Sequence, residues 1–158
     1  MNNDDSVLLN RATQGQYPPG STFKIITALE YIRENPDSYM NYRYTCNGRY
    51  TNGADINISC FHGSTHGEED FFKSFAKSCN SSFANIGMSL GRDKFGKTLN
   101  ELLYNEKLPL DINYNVSKLN VDSSLSDYDM SQISIGQGNA TISPIQLNMI
   151  TNAIANNG

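Results

Sequence analysis

The sequence has no long hydrophobic run and no cluster of basic residues. None of its 158 residues lies in a segment approaching the roughly 20 apolar residues that a membrane-spanning helix needs, and no signal-peptide pattern follows Met1. We therefore expect a soluble chain whose membrane anchor, if one exists, lies outside it. The net charge is −4, with acidic and basic residues dispersed, so no nucleic-acid partner is indicated. The length corresponds to one domain at most.

Cysteine and histidine are scarce, and most of them lie in one polar segment. Residues 38–67 contain Cys46, Cys60, His62 and His66, and their repeated Tyr, Asn and Gly predict a loop with one or two short strands. Three alternatives stay open: a Cys46–Cys60 disulfide, a zinc site using both cysteines and both histidines, or a structural loop with unpaired thiols. The spacing fits no familiar zinc pattern, which favours the other two and predicts no metal.

The most informative stretch is Tyr-Pro-Pro-Gly-Ser-Thr-Phe-Lys at residues 17–24, which runs into an apolar helical pattern. It predicts a helix over residues 21–34, ended by Asn-Pro-Asp at 35–37. Residues three apart on a helix share a face, so the Ser21 hydroxyl and the Lys24 amine should lie within reach of each other. A buried, desolvated Lys24 could act as a base for Ser21. A capping serine beside a solvated lysine would give the same spacing.

A second polar group lies between two predicted helices. Phe71, Phe72 and Phe75 give the first helix an apolar face, it should end near Lys77, and Ser-Cys-Asn at 78–80 precedes the second. A hydroxyl both gives and accepts a proton, and an amide offers a donor and an acceptor without charge. Taken alone, Ser78 is more simply interpreted as a cap of the following helix.

Residues 91–98 match the pattern of a phosphate-binding P-loop, G-x-x-x-x-G-K-[ST]. That motif must follow a buried strand, whereas residues 82–90 read as an amphipathic helix, and the intervening residues are charged and bulky. We therefore predict a surface helix over residues 94–106 and no nucleotide site.

Residues 17–24, with Asn-Arg-Ala at 10–12, resemble the active-site motif of class B penicillin-binding proteins, the serine D,D-transpeptidases that cross-link peptidoglycan. Ser-Ile-Gly-Gln-Gly at 134–138 and Ser-Pro-Ile-Gln at 143–146 also look like segments of that family. The resemblance implies Ser21 as nucleophile, Lys24 as base and Ser78 as proton relay. It implies that Asn80 holds Lys24 and the acyl donor, and that Gly136, Gln137 and Gly138 lie at the substrate site.

The resemblance implies an α/β parent fold with an antiparallel sheet and a helical subdomain, of which residues 1–158 are the front and middle. Here we expect mostly α-helix, long loops and few short strands. The Ser143-Pro144-Ile145-Gln146 sequence predicts the start of a last helix over residues 144–155. The family's third motif, Lys-[Thr/Ser]-Gly on an edge strand, does not occur in the sequence. We therefore expect a partial transpeptidase domain with impaired activity.

The partners implied by the resemblance are peptidoglycan stem peptides ending in D-Ala-D-Ala, β-lactam antibiotics, and glycosyltransferase, divisome or elongasome proteins. It implies no cofactor, and it implies a parent anchored by an N-terminal helix on the extracytoplasmic face of a bacterial membrane. Two other functions stay open. A β-lactam sensor domain uses the same Ser-x-x-Lys spacing but stays acylated, and a non-catalytic structural fragment would use Ser21 only as a helix cap.

Overall fold

The first helix, α1, lies between the two main parts of the hydrophobic core. The computed structural model describes residues 9–158, so the first eight residues of the predicted domain range lie outside the description. A 3-10 turn, Gly20–Phe23, leads directly into α1, Lys24–Glu34. The predicted helix therefore begins with a tighter turn that carries Ser21. It ends at Glu34 as predicted, because Asn35 is followed by a proline that disfavours helical backbone at the residue before it.

Four short strands follow α1 and form two separate antiparallel pairs. Strand β1, Arg43–Cys46, pairs with β4, Gly67–Asp70, and places Cys46 opposite Gly67. Strand β2, Arg49–Asn52, pairs with β3, Ile56–Ser59. The sequence pattern predicted one or two strands here, fewer than the structure has. Most residues of these strands are polar, so the sequence gives little strand signal. Only β3 shows a clear alternation of buried and exposed positions, with Ile56 and Ile58 buried.

A sharp turn separates the next two helices. Helix α2, Phe71–Ala76, is capped by Asp70, whose side chain accepts a hydrogen bond from the Lys73 N–H. Helix α3 covers Asn80–Ser89, and its N-cap is Cys79, whose Sγ accepts from the Ser82 N–H. The predicted break after Lys77 is confirmed. Ser78 is not the cap of α3, which removes the simpler interpretation of that serine.

Three more helices complete the described chain: α4, Arg92–Glu101, α5, Asp127–Ile133, and α6, Pro144–Ala155. Helix α4 covers almost all of the P-loop-like sequence, so its backbone is not a phosphate-binding loop. It ends five residues before the predicted bound of 106. Helix α6 has the predicted bounds, and Ser143 caps it by accepting from the Gln146 N–H.

The core has two large apolar clusters, and α1 contributes to both. Ile26 of α1 and Phe23 of the preceding turn belong to the first cluster, and Ala28 of α1 belongs to the second. The first also contains Leu90, Phe95, Leu99, Tyr104, Leu119, Val121, Met130, Ile133, Ala140, Ile142 and Ile150. The second also contains Ile56, Ile58, Phe71, Phe83, Ala84, Ile86 and Ile135. Burial on both sides fixes α1, and with it the turn that carries Ser21.

The predicted fold class, predominantly helical with long loops and few short strands, is confirmed. Within residues 9–158, none of the helices combines the length and the apolar character needed to cross a membrane.

Candidate active site

Ser21 and Lys24 lie at the junction of the 3-10 turn and α1. The Lys24 Nζ is 3.3 Å from the Ser21 Oγ. Ser21 is exposed, whereas Lys24 is only 2% exposed. A hydroxyl that solvent and ligands can reach therefore stands beside an amine that they cannot.

The Lys24 Nζ has three further acceptors, two on Ser78 in the turn between α2 and α3 and one on Asn80, the first residue of α3. It lies 2.6 Å from the Ser78 carbonyl oxygen, 2.9 Å from the Ser78 Oγ and 2.6 Å from the Asn80 Oδ1. The Asn80 Nδ2 in turn donates to the Ser59 carbonyl at 3.0 Å, which fixes the amide in orientation. An ammonium group has only three N–H donors, so these four acceptors share them, and the contact to Ser21 is the longest.

Burial makes Lys24 easier to deprotonate than an exposed lysine. Desolvation lowers its pKa from 10.5 to about 8, whereas a thiolate at Cys79 or Cys60 would act in the opposite direction. The Nζ also lies 5.7 Å from the centre of the Phe83 ring. At pH 7 about one Lys24 in ten is then neutral, against about one in a few thousand for an unperturbed lysine.

Ser78 is held in a left-handed backbone conformation, with φ +51°. Its N–H donates to the Phe75 carbonyl at 2.9 Å, and the Cys79 N–H donates to the Ser74 carbonyl at 3.0 Å. These bonds end α2 and fix the backbone of Ser78, whose carbonyl and hydroxyl both contact the Lys24 amine. A non-glycine residue in this region carries strain of about 1–3 kcal/mol, which the surrounding contacts must offset.

Gly136 supports the turn that carries Ser21. Its φ is +76°, and its carbonyl accepts a hydrogen bond from the Gly20 N–H at 2.9 Å. A Cβ at Gly136 would lie 1.9 Å from the Gly20 oxygen. Only glycine permits this approach. Gln137 and Gly138 are exposed in the same loop, and their role in substrate binding stays a prediction.

The cysteines form a buried cluster behind the same turn. The Cys46 and Cys60 Sγ atoms are 3.7 Å apart, and Cys79 Sγ lies 3.7 Å from Cys60 Sγ. A disulfide needs about 2.05 Å, and all three thiols are free. The Cys46–Cys60 disulfide, one of the three alternatives left open by the sequence, is absent from this structure.

The cluster contains Cys79 and His66 but not His62, a combination that the sequence did not predict. Burial opposes ionisation of Cys46, yet hydrogen bonds from the Ser81 hydroxyl and from the backbone N–H groups of Gly48 and His66 outweigh it and lower its pKa to about 6. The pKa of Cys79 is raised, chiefly by burial. The signal that could have identified the cluster was the presence of a third cysteine inside the Ser-Cys-Asn turn.

The structure thus brings four of the predicted site residues together, Ser21, Lys24, Ser78 and Asn80, and places Gly136 directly behind Ser21. The family model described as penicillin binding protein transpeptidase domain matches residues 1–158 of the chain.

Relatives and solved structures agree with this match. The chain is 30% identical to the peptidoglycan D,D-transpeptidase PbpA of Mycolicibacterium smegmatis, an alignment that covers 97% of the chain and 31% of the relative. The imipenem acyl-enzyme complex of penicillin-binding protein A from M. tuberculosis superimposes with a TM-score of 0.87 at 25% identity, over 99% of this chain and 36% of that one. PBP2 of Helicobacter pylori, solved in complex with MreC, gives a TM-score of 0.81 at 26% identity, over 95% and 30% of the two chains. The chain thus spans about a third of the length of these proteins.

Proposed function

Since this chain belongs to the family of penicillin-binding protein transpeptidase domains, we propose that it is part of a peptidoglycan D,D-transpeptidase in which Ser21 is the nucleophile and Lys24 its general base. The observation that carries this proposal is the buried Lys24 amine, which contacts Ser21, Ser78 and Asn80 at once. An exposed hydroxyl next to a desolvated amine is an arrangement that activates a serine.

In the first half-reaction the Ser21 Oγ attacks the carbonyl between the two terminal D-Ala residues of a stem peptide. The neutral Lys24 amine takes the hydroxyl proton as the C–O bond forms. When the C–N bond breaks, the Lys24 ammonium returns that proton to the leaving D-Ala nitrogen through the Ser78 hydroxyl, which lies 2.9 Å from Nζ. The product is an ester between Ser21 and the shortened stem peptide.

In the second half-reaction an amine of another stem peptide attacks this ester. Lys24, neutral again, accepts a proton from the attacking nitrogen, and the Ser21 oxygen leaves with a proton as the new amide forms. The Asn80 amide keeps Lys24 in position through both steps, since its Oδ1 accepts from Nζ and its Nδ2 is held by Ser59. It would also contact the acyl donor.

A β-lactam would enter the same pathway as a substitute for D-Ala-D-Ala. Ser21 opens the four-membered ring by attack on its carbonyl, and the ring nitrogen takes the proton but stays tethered to the acyl group. The solved imipenem acyl-enzyme of the M. tuberculosis relative supports this part of the proposal.

We also propose that the 158-residue chain by itself reacts slowly. It contains no Lys-Thr-Gly or Lys-Ser-Gly sequence, the motif that the resemblance assigns to carboxylate binding and to one oxyanion-hole donor. Loss of a single such donor typically lowers kcat by about 10²- to 10³-fold. The whole enzyme would act on the extracytoplasmic side of the membrane. A partner of the MreC type is proposed by analogy with the H. pylori relative.

Labelling with a fluorescent penicillin tests the proposed nucleophile. The chain should acquire slow, covalent label that survives denaturation, and Ser21→Ala should abolish it. Thr22→Val is a matched control, because Thr22 carries an exposed neighbouring hydroxyl that donates to the Pro19 carbonyl and, among the described residues, does not contact the Lys24 amine. Labelling that persists in Ser21→Ala and disappears in Thr22→Val would overturn the assignment. Fast labelling of every chain in the sample would overturn the proposal that the chain alone is impaired.

A further inference from the structure

We propose that Cys46, Cys60, His66 and Cys79 bind one zinc ion directly behind the candidate active site. Their ligand atoms, three Sγ and a ring nitrogen, all lie within 4.8 Å of one another. The three cysteines are buried and His66 is half-buried. Three thiolates and one imidazole are a common ligand set of structural zinc sites.

The distances match a tetrahedral site. Zinc–sulfur bonds of about 2.3 Å at tetrahedral angles place two sulfurs about 3.8 Å apart, and a sulfur and a nitrogen about 3.5 Å apart. The observed separations are 3.7 Å for Cys46–Cys60 and for Cys60–Cys79, and 3.3 Å between the Cys46 Sγ and the His66 Nδ1. Three of the six separations between ligand atoms are thus already those of a tetrahedral site, and the other three are no longer than 4.8 Å.

Polar groups around the sulfurs suit thiolates better than apolar thiols. The Ser81 Oγ lies 3.1 Å from the Cys46 Sγ, 3.3 Å from the Cys79 Sγ and 3.4 Å from the Cys60 Sγ. The Ser82 N–H donates to the Cys79 Sγ at 3.4 Å. Hydrogen bonds of this kind orient metal ligands and stabilise their negative charge. Three cysteines packed only as small apolar side chains would require none of them.

The four ligands come from four different parts of the chain. Cys46 ends β1, Cys60 follows β3, His66 precedes β4, and Cys79 caps α3. A two-stranded pair is marginally stable by itself, and these two pairs belong to separate sheets. One ion would therefore join both sheets to α3, as structural zinc does in small domains.

The placement also links the ion to the candidate active site. Cys79 lies between Ser78 and Asn80, both of which contact the Lys24 amine. An ion on Cys79 would fix the position of both neighbours. This consequence rests on the proposed function, whereas the metal site itself does not. The zinc alternative drawn from the sequence used both histidines and omitted Cys79, whereas the structure brings Cys79 and only one histidine, His66, to the cluster.

Metal analysis of the purified full chain tests the site without reference to catalysis. We expect one zinc per chain by elemental mass spectrometry, and a Co²⁺-substituted chain with the intense visible d–d bands of tetrahedral cobalt and near-ultraviolet thiolate charge transfer. His66→Ala should weaken zinc binding by more than the roughly 10- to 100-fold that outer-shell changes cost. The matched control is His62→Ala, since His62 is the only other histidine, is exposed and lies in the same loop.

Three outcomes would overturn the site. They are a folded chain without stoichiometric metal, a Cys46–Cys60 disulfide in the purified chain, and equal metal binding by His66→Ala and His62→Ala. If the histidine variant does not fold, Cys60→Ser provides a second test, because it removes one sulfur while keeping the size of the side chain. A folded Cys60→Ser chain with an unchanged cobalt spectrum would equally contradict the proposal.

Discussion

The Gly20 N–H donates to the Gly136 carbonyl at 2.9 Å, and this bond joins the turn that carries Ser21 to a loop far along the sequence. Gly136→Ala would place a Cβ 1.9 Å from the Gly20 oxygen at a φ of +76°. We expect the substitution to lower the free energy of unfolding by about 2–4 kcal/mol and to slow acylation of Ser21. Chemical denaturation and β-lactam labelling measure the two effects.

Gly53→Ala separates steric overlap from backbone strain. Gly53 also has a positive φ, +63°, but a Cβ there would meet nothing within 4 Å. The substitution Gly53→Ala should lower the free energy of unfolding by only about 1 kcal/mol and leave the rate of Ser21 acylation unchanged. If the two variants lose equal stability and react equally fast, the contact between Gly136 and Gly20 does not position the nucleophile.

The helices near the candidate site could be predicted because their signals are local. Asn-Pro at 35–36 ends α1, and Ser143-Pro144 begins α6, as predicted from capping and backbone preferences. Helix α5 was missed, although Ser126 caps it and Asp127 and Asp129 occupy its first turn. This capping signal is also local, but the polar, turn-like residues that precede α5 concealed the helix.

The parts that could not be predicted depend on pairings between distant residues. The partners of β1 and β2 are set by packing that no short pattern encodes. The same holds for the cluster, because the choice of His66 over His62 depends on the register that places Cys46 opposite Gly67. The spacing of Ser21 and Lys24 predicted their proximity, and the family resemblance implied that Ser78 and Asn80 act with Lys24. The contact of Lys24 with the Ser78 carbonyl and the bond that fixes Asn80 to Ser59 needed the fold.

The rate of acylation should follow the protonation of Lys24. A base acts only in its neutral form, and burial lowers the Lys24 pKa to about 8. The rate should therefore rise about tenfold per pH unit below that value and level off above it. The profile is measured by β-lactam labelling reactions that are stopped at set times at a series of pH values. The variant Ser21→Ala gives the background due to direct hydrolysis of the reagent. A rate independent of pH would exclude Lys24 as the base.

Replacing the amide of Asn80 by a carboxylate should shift this profile. In Asn80→Asp a negative charge would stand 2.6 Å from the Lys24 Nζ and favour the ammonium form. The midpoint should move to higher pH by about one unit or more, and the rate at neutral pH should fall about tenfold or more. Asn100→Asp, an exposed position on α4, is the control for added charge alone. Identical profiles for both variants would contradict the assigned role of Asn80.

The proposed zinc ion should influence acylation through the Ser78-Cys79-Asn80 turn. Removal of the metal with a chelator, or the substitution His66→Ala, should slow β-lactam labelling by about tenfold or more, in the range seen when a metal site is perturbed. His62→Ala should label like the unmodified chain. If a chain shown to have lost its zinc acylates at the original rate, the ion is not needed to position Ser78 and Asn80.

The most direct test of the central claim is the site of covalent modification. Intact-mass analysis after incubation with a β-lactam, followed by peptide mapping, should show a single adduct, located on Ser21. Lys24→Ala should retain the fold yet lose about 10²- to 10⁴-fold in the rate of adduct formation, as expected for loss of a general base. An adduct on any other residue, or one that forms equally fast without Lys24, would contradict the account.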